Sequence, residues 1–262
     1  MMVMLFRRRA LQCATLWPMA ALARTAEVVR VAAASDLQFA LPQVLQAHER
    51  RTGTRVVVSY AASGQLAMQI QHGAPFDLFL SADEAFVQRL QRAGLTQDEG
   101  TLYALGRLAL VAGKQTDWPL DAALQGLRQR LAQGQLRRFA LANPRIAPYG
   151  MRAQEALQAM GLWQGLQPHL VWGENVAQAM QFALSAEADG GVVALSLAVA
   201  PPLRTRVRYV AIAPRWHRPL RQRMVRLRRA SAAAQALYAE LQQPHAREVL
   251  AAHGFGMAQG GE

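Results

Sequence analysis

Two stretches of this chain carry a serine where a strand-like run turns into a helix-like one. The first, VRVAAASDLQFA over 29–40, ends an apolar run in small residues and opens a helix with Ser35 and Asp36. The second, YAASGQL over 60–66, does the same with Ser63 and Gly64. A serine at such a junction reads as an N-cap. A helix N-terminus presents backbone N–H groups without intrahelical acceptors, together with a partial positive charge. Two such junctions, each with a hydroxyl, make a set of neutral donors suited to holding an anion.

Asp36 stands beside that set. A carboxylate next to an anion is repulsive unless it turns away or the anion carries a proton. The expected placement is a first-turn aspartate facing solvent, favoured by the helix dipole. A protonated phosphate is the ligand that would want an acceptor there.

Other chemistries find little support. Asp77, Asp83 and Glu84 read as a buried turn and a helix start rather than a hard-cation site. The six histidines (48, 72, 169, 217, 245 and 253) form no HExxH or close pair, so zinc is not implied. No GxSxG elbow or Walker loop occurs, and no serine lies three residues before Lys114. The enzyme reading is acyl or phosphoryl transfer with Ser63 as nucleophile, and no histidine neighbours Ser63 in sequence to serve as base.

The elements that must position these residues alternate. Strands are predicted over 28–33, 55–60 and 76–81, and helices over 37–51, 64–72 and 84–93. This rhythm implies a parallel sheet with helices on its faces. Further strands are predicted at 108–112, 139–142, 170–171, 191–195 and 207–213. Helices are expected near 120–133, then over 151–160, 177–184, 231–241 and 245–253. The pattern suggests two α/β lobes with ligand chemistry at the carboxyl ends of strands. Ser35, Ser63, Tyr149 and Val176 each fall at or just before a helix start. With two on each lobe, closure would surround one small ligand.

The chain has 262 residues, 52% of them hydrophobic, enough for one large domain or two lobes. Its formal net charge is +12, and every basic residue except Lys114 is arginine. Such skew reads as codon bias of a GC-rich genome. No basic helix with interleaved aromatics appears, so nucleic acid is not an expected partner. The arginines between Arg204 and Arg229 are spaced as on solvated faces and would suit docking to an acidic partner protein.

Arg7, Arg8 and Arg9 precede a short apolar run over 10–23, and Ala21-Leu22-Ala23 fits a cleavage site. Residues 1–26 therefore read as a signal peptide, too short to span a bilayer. Cys13, the sole cysteine, lies inside it behind Gln12, which is too bulky for a good lipobox. Once the signal is removed the chain has no thiol for a disulfide or a metal. The protein is expected to be exported to the periplasm.

The segments AAASDL, YAASGQLAMQI, GAPFDLFLSADE, ANPRIAPYGMRAQEAL, GENVAQAMQF and GGVVALS, with a terminal HGFGM, come in an order and spacing that resemble the periplasmic molybdate-binding proteins of ABC transporters. The resemblance covers nearly all of 27–256. It implies a type II periplasmic binding protein, an α/β fold of two lobes, each a mixed, mainly parallel sheet flanked by helices. It further implies a first lobe over 27–105 to which 200–262 returns, and a second over 106–199. It also implies a ligand, molybdate or tungstate, held by Ser35 and Ser63, the Ala82 backbone N–H, the Tyr149 hydroxyl and the Val176 backbone. These residues would touch only the oxygens, with no direct ligation of the metal. Some relatives carry a tyrosine ligand where this chain has Ala194, so the phenol role falls to Tyr149. No catalysis and no cofactor are implied. The partners implied are the oxyanion and a membrane permease, and the protein is expected to be a monomer. Sulfate or phosphate is the alternative ligand.

Overall fold

The computed structural model describes residues 27–257, so the 1–26 signal-peptide expectation and Cys13 lie outside the described residues. The chain runs from β1 (Val28–Ala34) through a 3-10 turn (Ser35–Leu37) into α1 (Leu41–Thr52), β2 (Arg55–Ala61) and α2 (Ser63–Gln71). Next come β3 (Leu78–Ser81), α3 (Glu84–Arg92) and β4 (Thr101–Gly106). It then enters β5 (Leu108–Gly113), α4 (Gln125–Ala132), β6 (Phe139–Ala142), α5 (Pro148–Ala159) and α6 (Trp163–Leu166). β7 (Leu170–Gly173), α7 (Val176–Ala183), β8 (Gly190–Ala194), α8 (Leu195–Ala198) and β9 (Val207–Ala211) follow. β10 (Leu220–Arg226), α9 (Ala232–Glu240) and α10 (Pro244–Ala252) end the fold.

The strands form two sheets, in orders β2-β1-β3-β10-β4 and β7-β6-β8-β5-β9. In the first, β1 runs parallel to β2 and β3, and β10 is antiparallel to both neighbours. In the second, β6 runs parallel to β7 and β8, and β5 is antiparallel to both neighbours. Each lobe is thus a mainly parallel sheet with one reversed strand. The buried apolar runs explain this: β3, β6 and β8 are wholly buried, as strands covered by helices on both faces must be.

β9 pairs with β5, so the chain returns to the first lobe between 211 and 220, later than the expected boundary at 200. Two strands were not expected at all, β4 and β10, and they are the ones that precede the first crossing between lobes and follow the second. β10 alternates Leu220, Gln222 and Met224 inward with Arg221 and Arg223 outward, a short period-2 signal masked by its charge and broken at the buried Val225.

Helix starts also shift. Ser35 and Ser63 are each the first residue of their helical turn, not the cap; Ala34 and Ala62 hold the cap positions. The helix expected from 120 begins at Gln125, because Asp121 takes the N–H groups of Ala123, Gln125 and Gly126.

The second lobe's apolar core extends to Ala34, Ala62 and Ala82, the residues that leave β1, β2 and β3. Small side chains at these strand ends let the two lobes approach closely. Gly64 does the same: its N–H donates to the Ile146 carbonyl at 3.0 Å, and a Cβ there would lie 2.7 Å from that oxygen. Among the described residues, no helix is long and apolar enough to cross a membrane.

Candidate functional site

Five strand ends converge where the lobes meet. β1, β2 and β3 deliver Ser35 with Asp36, Ser63, and Ala82; β6 and β7 feed the starts of α5 and α7, which bring Tyr149 and Val176. All six residues line one small cavity of about 10 Å³, together with Ala34, Ala61, Ala62, Ala147 and Pro148. That is far below the range of about 300–1,000 Å³ usual for organic ligands. No arginine, lysine or histidine is among its lining residues.

The donors are organised from behind. Ser63 Oγ accepts the Ala82 N–H at 2.9 Å, and Ser35 Oγ accepts the Ala177 N–H at 3.4 Å. A hydroxyl that accepts one bond keeps its own proton to donate. The Ala82 N–H, expected to reach a ligand directly, donates to Ser63 Oγ in this structure and supports that hydroxyl. Val176 opens α7 behind its cap Asn175, whose Oδ1 takes the N–H groups of Ala177 and Gln178. The Val176 N–H belongs to the first turn, which has no intrahelical acceptors.

Asp36 departs most from expectation. It is 1% exposed rather than facing solvent. Its Oδ2 accepts from the Tyr149 hydroxyl at 2.9 Å and from Gln222 Nε2 at 2.6 Å. Its Oδ1 is buried without a hydrogen-bond partner. Burial pushes the Asp36 carboxyl up to about 6, against a lesser downward pull from Gln222, from Tyr149 and from its own backbone N–H. The Tyr149 phenol proton, expected for a ligand, is held by Asp36 in this arrangement. The reason is that the turn after β1 folds the carboxyl inward, under α8, where Ser196 Oγ donates to the Asp36 carbonyl at 2.9 Å.

Gln222 and Tyr103 complete the network and were not foreseen. Tyr103 donates to Gln222 Oε1 at 2.8 Å, which turns the Gln222 amide nitrogen toward Asp36 and Tyr149. Gln222 pairs with Ala104 and Arg223 with Leu102, so Tyr103 is the extra residue of a β-bulge. Bulges of this kind re-aim side chains beside functional sites. Burial, then the Asp36 charge, raises both phenols well above their usual range.

Across the mouth, Arg152 of α5 pairs with Asp83 at 2.6 Å, and also with Glu155. Asp83 caps α3 through the Ala85 N–H, as expected of a helix start. Ala194, whose side chain was assigned no role, is fully buried at the end of β8.

Residues 29–256 match the family described as bacterial extracellular solute-binding protein. The chain is 33% identical over 240 residues to the molybdate-binding protein ModA of Azotobacter vinelandii, covering 90% of this chain and 93% of that one. It is 34% identical over 234 residues to the molybdate-binding protein ModA of Escherichia coli (strain K12), covering 87% and 88%. The solved structure of the Azotobacter vinelandii periplasmic molybdate-binding protein matches with a TM-score of 0.79 at 28% identity, covering 88% of this chain and 100% of that one.

Proposed function

The chain belongs to the bacterial extracellular solute-binding proteins, and we propose that within them it is a periplasmic receptor for molybdate, and for tungstate, delivering either to an ABC permease. One observation carries the reading: a small cavity lined from both lobes by hydroxyl and amide donors, with no cationic side chain among the described residues that line it. A fully deprotonated tetrahedral oxyanion offers only acceptors, so neutral donors match it. Ser35 and Ser63 donate their hydroxyl protons and Val176 its N–H, while Tyr149 closes the cavity from the second lobe. Ala82 acts behind Ser63. Each hydrogen bond to a charged group contributes roughly 1.5–3 kcal/mol, less what it costs to desolvate the anion. Donors without counter-charge also release the ion when the lobes part, and hinge opening is the motion that the two-lobed fold allows. The protein acts as a monomer and performs no reaction on its ligand.

A second reading, a proton-bearing oxyanion such as hydrogen phosphate, is favoured by the unpartnered Asp36 Oδ1, which could accept that proton. Calorimetric titration of the purified protein with molybdate, tungstate, sulfate and phosphate tests the choice. One-to-one binding of the first two is expected. Binding of sulfate or phosphate alone would overturn the molybdate assignment.

A further inference from the structure

A carboxyl buried in the wall of an anion site needs an account of its charge. We infer that Asp36 takes up a proton from solvent as the oxyanion enters, and that the resulting carboxylic acid donates its O–H to the ion. The inference rests on the oxyanion reading above and adds a residue and a pH dependence to it.

Geometry decides where the proton goes. Oδ2 already accepts from the Tyr149 hydroxyl and Gln222 Nε2. Tyr103 donates to Gln222 Oε1 at 2.8 Å, against 3.4 Å to its other acceptor, the Ser81 carbonyl, and so favours that orientation of the amide. Two fixed donors make Oδ2 the acceptor oxygen. Oδ1, buried and without a partner, is left as the atom that carries the proton, on a residue that lines the cavity. The step is COO⁻ plus H⁺ giving COOH, with no other bond changed. A dianion and a carboxylate in one dry cavity repel each other strongly, whereas a dianion and an acid share a hydrogen bond.

Among the described residues, the elements packed against this turn supply no other neutralising charge. The Ser35–Leu37 turn packs against α7, α8 and β2. Neither α7 nor α8 contains an ionisable side chain. β2 brings Tyr60, whose phenol burial pushes up to about 12, and Arg55 at its opposite end. Tyr149 and Tyr103 face Asp36 from α5 and β4, and both stay neutral at ordinary pH. Burial, against the pull of its hydrogen bonds, already brings Asp36 to about 6 before any anion is present. A bound dianion pushes it in the same direction.

The test is titration of the purified protein with sodium molybdate from about pH 6.5 to about 8.5, in paired buffers of low and high ionisation enthalpy. At the alkaline end, uptake of about one proton per molybdate is expected, with affinity falling about tenfold per pH unit. Asp36→Asn offers the acid's own pattern permanently: an oxygen that accepts from Tyr149 and Gln222, and an NH2 that donates. At about pH 8.5 it should bind molybdate about tenfold or more tighter than wild type, without proton uptake. The wild-type measurement needs no variant to fold. Binding that is independent of pH and releases or absorbs no proton overturns this proposal and leaves the molybdate reading standing. Tight phosphate binding abolished by Asp36→Asn overturns it too, because the ligand would then carry the proton. No molybdate binding by either protein at any pH overturns the oxyanion reading, and this inference with it.

Discussion

Arg152 and Asp83 meet across the cleft at 2.6 Å, with their side chains 8% and 10% exposed. They are a buried ion pair that exists only when the lobes are together. Removing one partner of such a pair typically costs about 3–5 kcal/mol, because the other charge is left stranded. Arg152→Met should therefore favour the open form. Small-angle scattering in the presence of molybdate should report a larger radius of gyration than for wild type, and unchanged compaction would refute the latch.

The two hydroxyls should matter separately. Ser35→Ala and Ser63→Ala are each expected to weaken molybdate binding by about 1.5–3 kcal/mol, or roughly 10- to 150-fold. Ser63→Ala also leaves the buried Ala82 N–H without its acceptor, so its melting temperature should fall further than that of Ser35→Ala. Titration calorimetry and thermal melts read the two effects; unchanged affinity in both variants would remove the site assignment.

Asp36 makes the ligand-free protein sensitive to pH. Its carboxyl is raised from 3.8 to about 6 on folding. The stabilisation from that raised value is fully present below 3.8 and is lost as pH climbs through about 6. At about 1.4 kcal/mol per pKa unit, the loss is about 3 kcal/mol. Asp36→Asn removes it, so the variant should gain about 3 kcal/mol on wild type between acidic and mildly alkaline pH in denaturant unfolding. Parallel stability curves for the two proteins would contradict the burial of this carboxyl.

Gly64 is a contact between lobes rather than a helix residue of convenience. A methyl group there would lie 2.7 Å from the Ile146 carbonyl oxygen and 3.1 Å from the Phe86 ring. Gly64→Ala should block full closure and cut molybdate affinity by roughly tenfold or more, about 1.4 kcal/mol. An affinity equal to wild type in equilibrium dialysis would show that the lobes can give way.

Gly106 backs the polar network in the same manner. A Cβ there would stand 2.6 Å from the Tyr149 hydroxyl and 2.9 Å from Gln222 Nε2. Gly106→Ala is expected to displace both donors from Asp36 and so raise its pKa further, through loss of bonds that favour the charged form. Carbon-13 titration of the aspartate carboxyls would detect the shift, and an unmoved resonance would argue against this network.

Much of the site was legible before any fold was known. Ser35, Ser63, Tyr149 and Val176 announce themselves by a local grammar of apolar run, small residues and helix start, and all four line one cavity. The grammar overreached by one residue at the serines, since cap and first-turn positions both favour a short polar side chain. Gln222 and Tyr103 gave no comparable sign. They lie on strands whose arginines and mixed polarity hid the alternation, and they matter only because β10 and β4 pair with a bulge between them.

From its amino acids alone, then, this chain determined its α/β rhythm, its two lobes and the neutral donors at the strand ends, because those depend on neighbours within a few residues. The charge of Asp36 was decided elsewhere. Its partners Tyr149 and Gln222 stand 113 and 186 residues away along the chain. Only the folded molecule brings them to it and takes the water away, and a carboxyl's ionisation is set by its solvent and its partners.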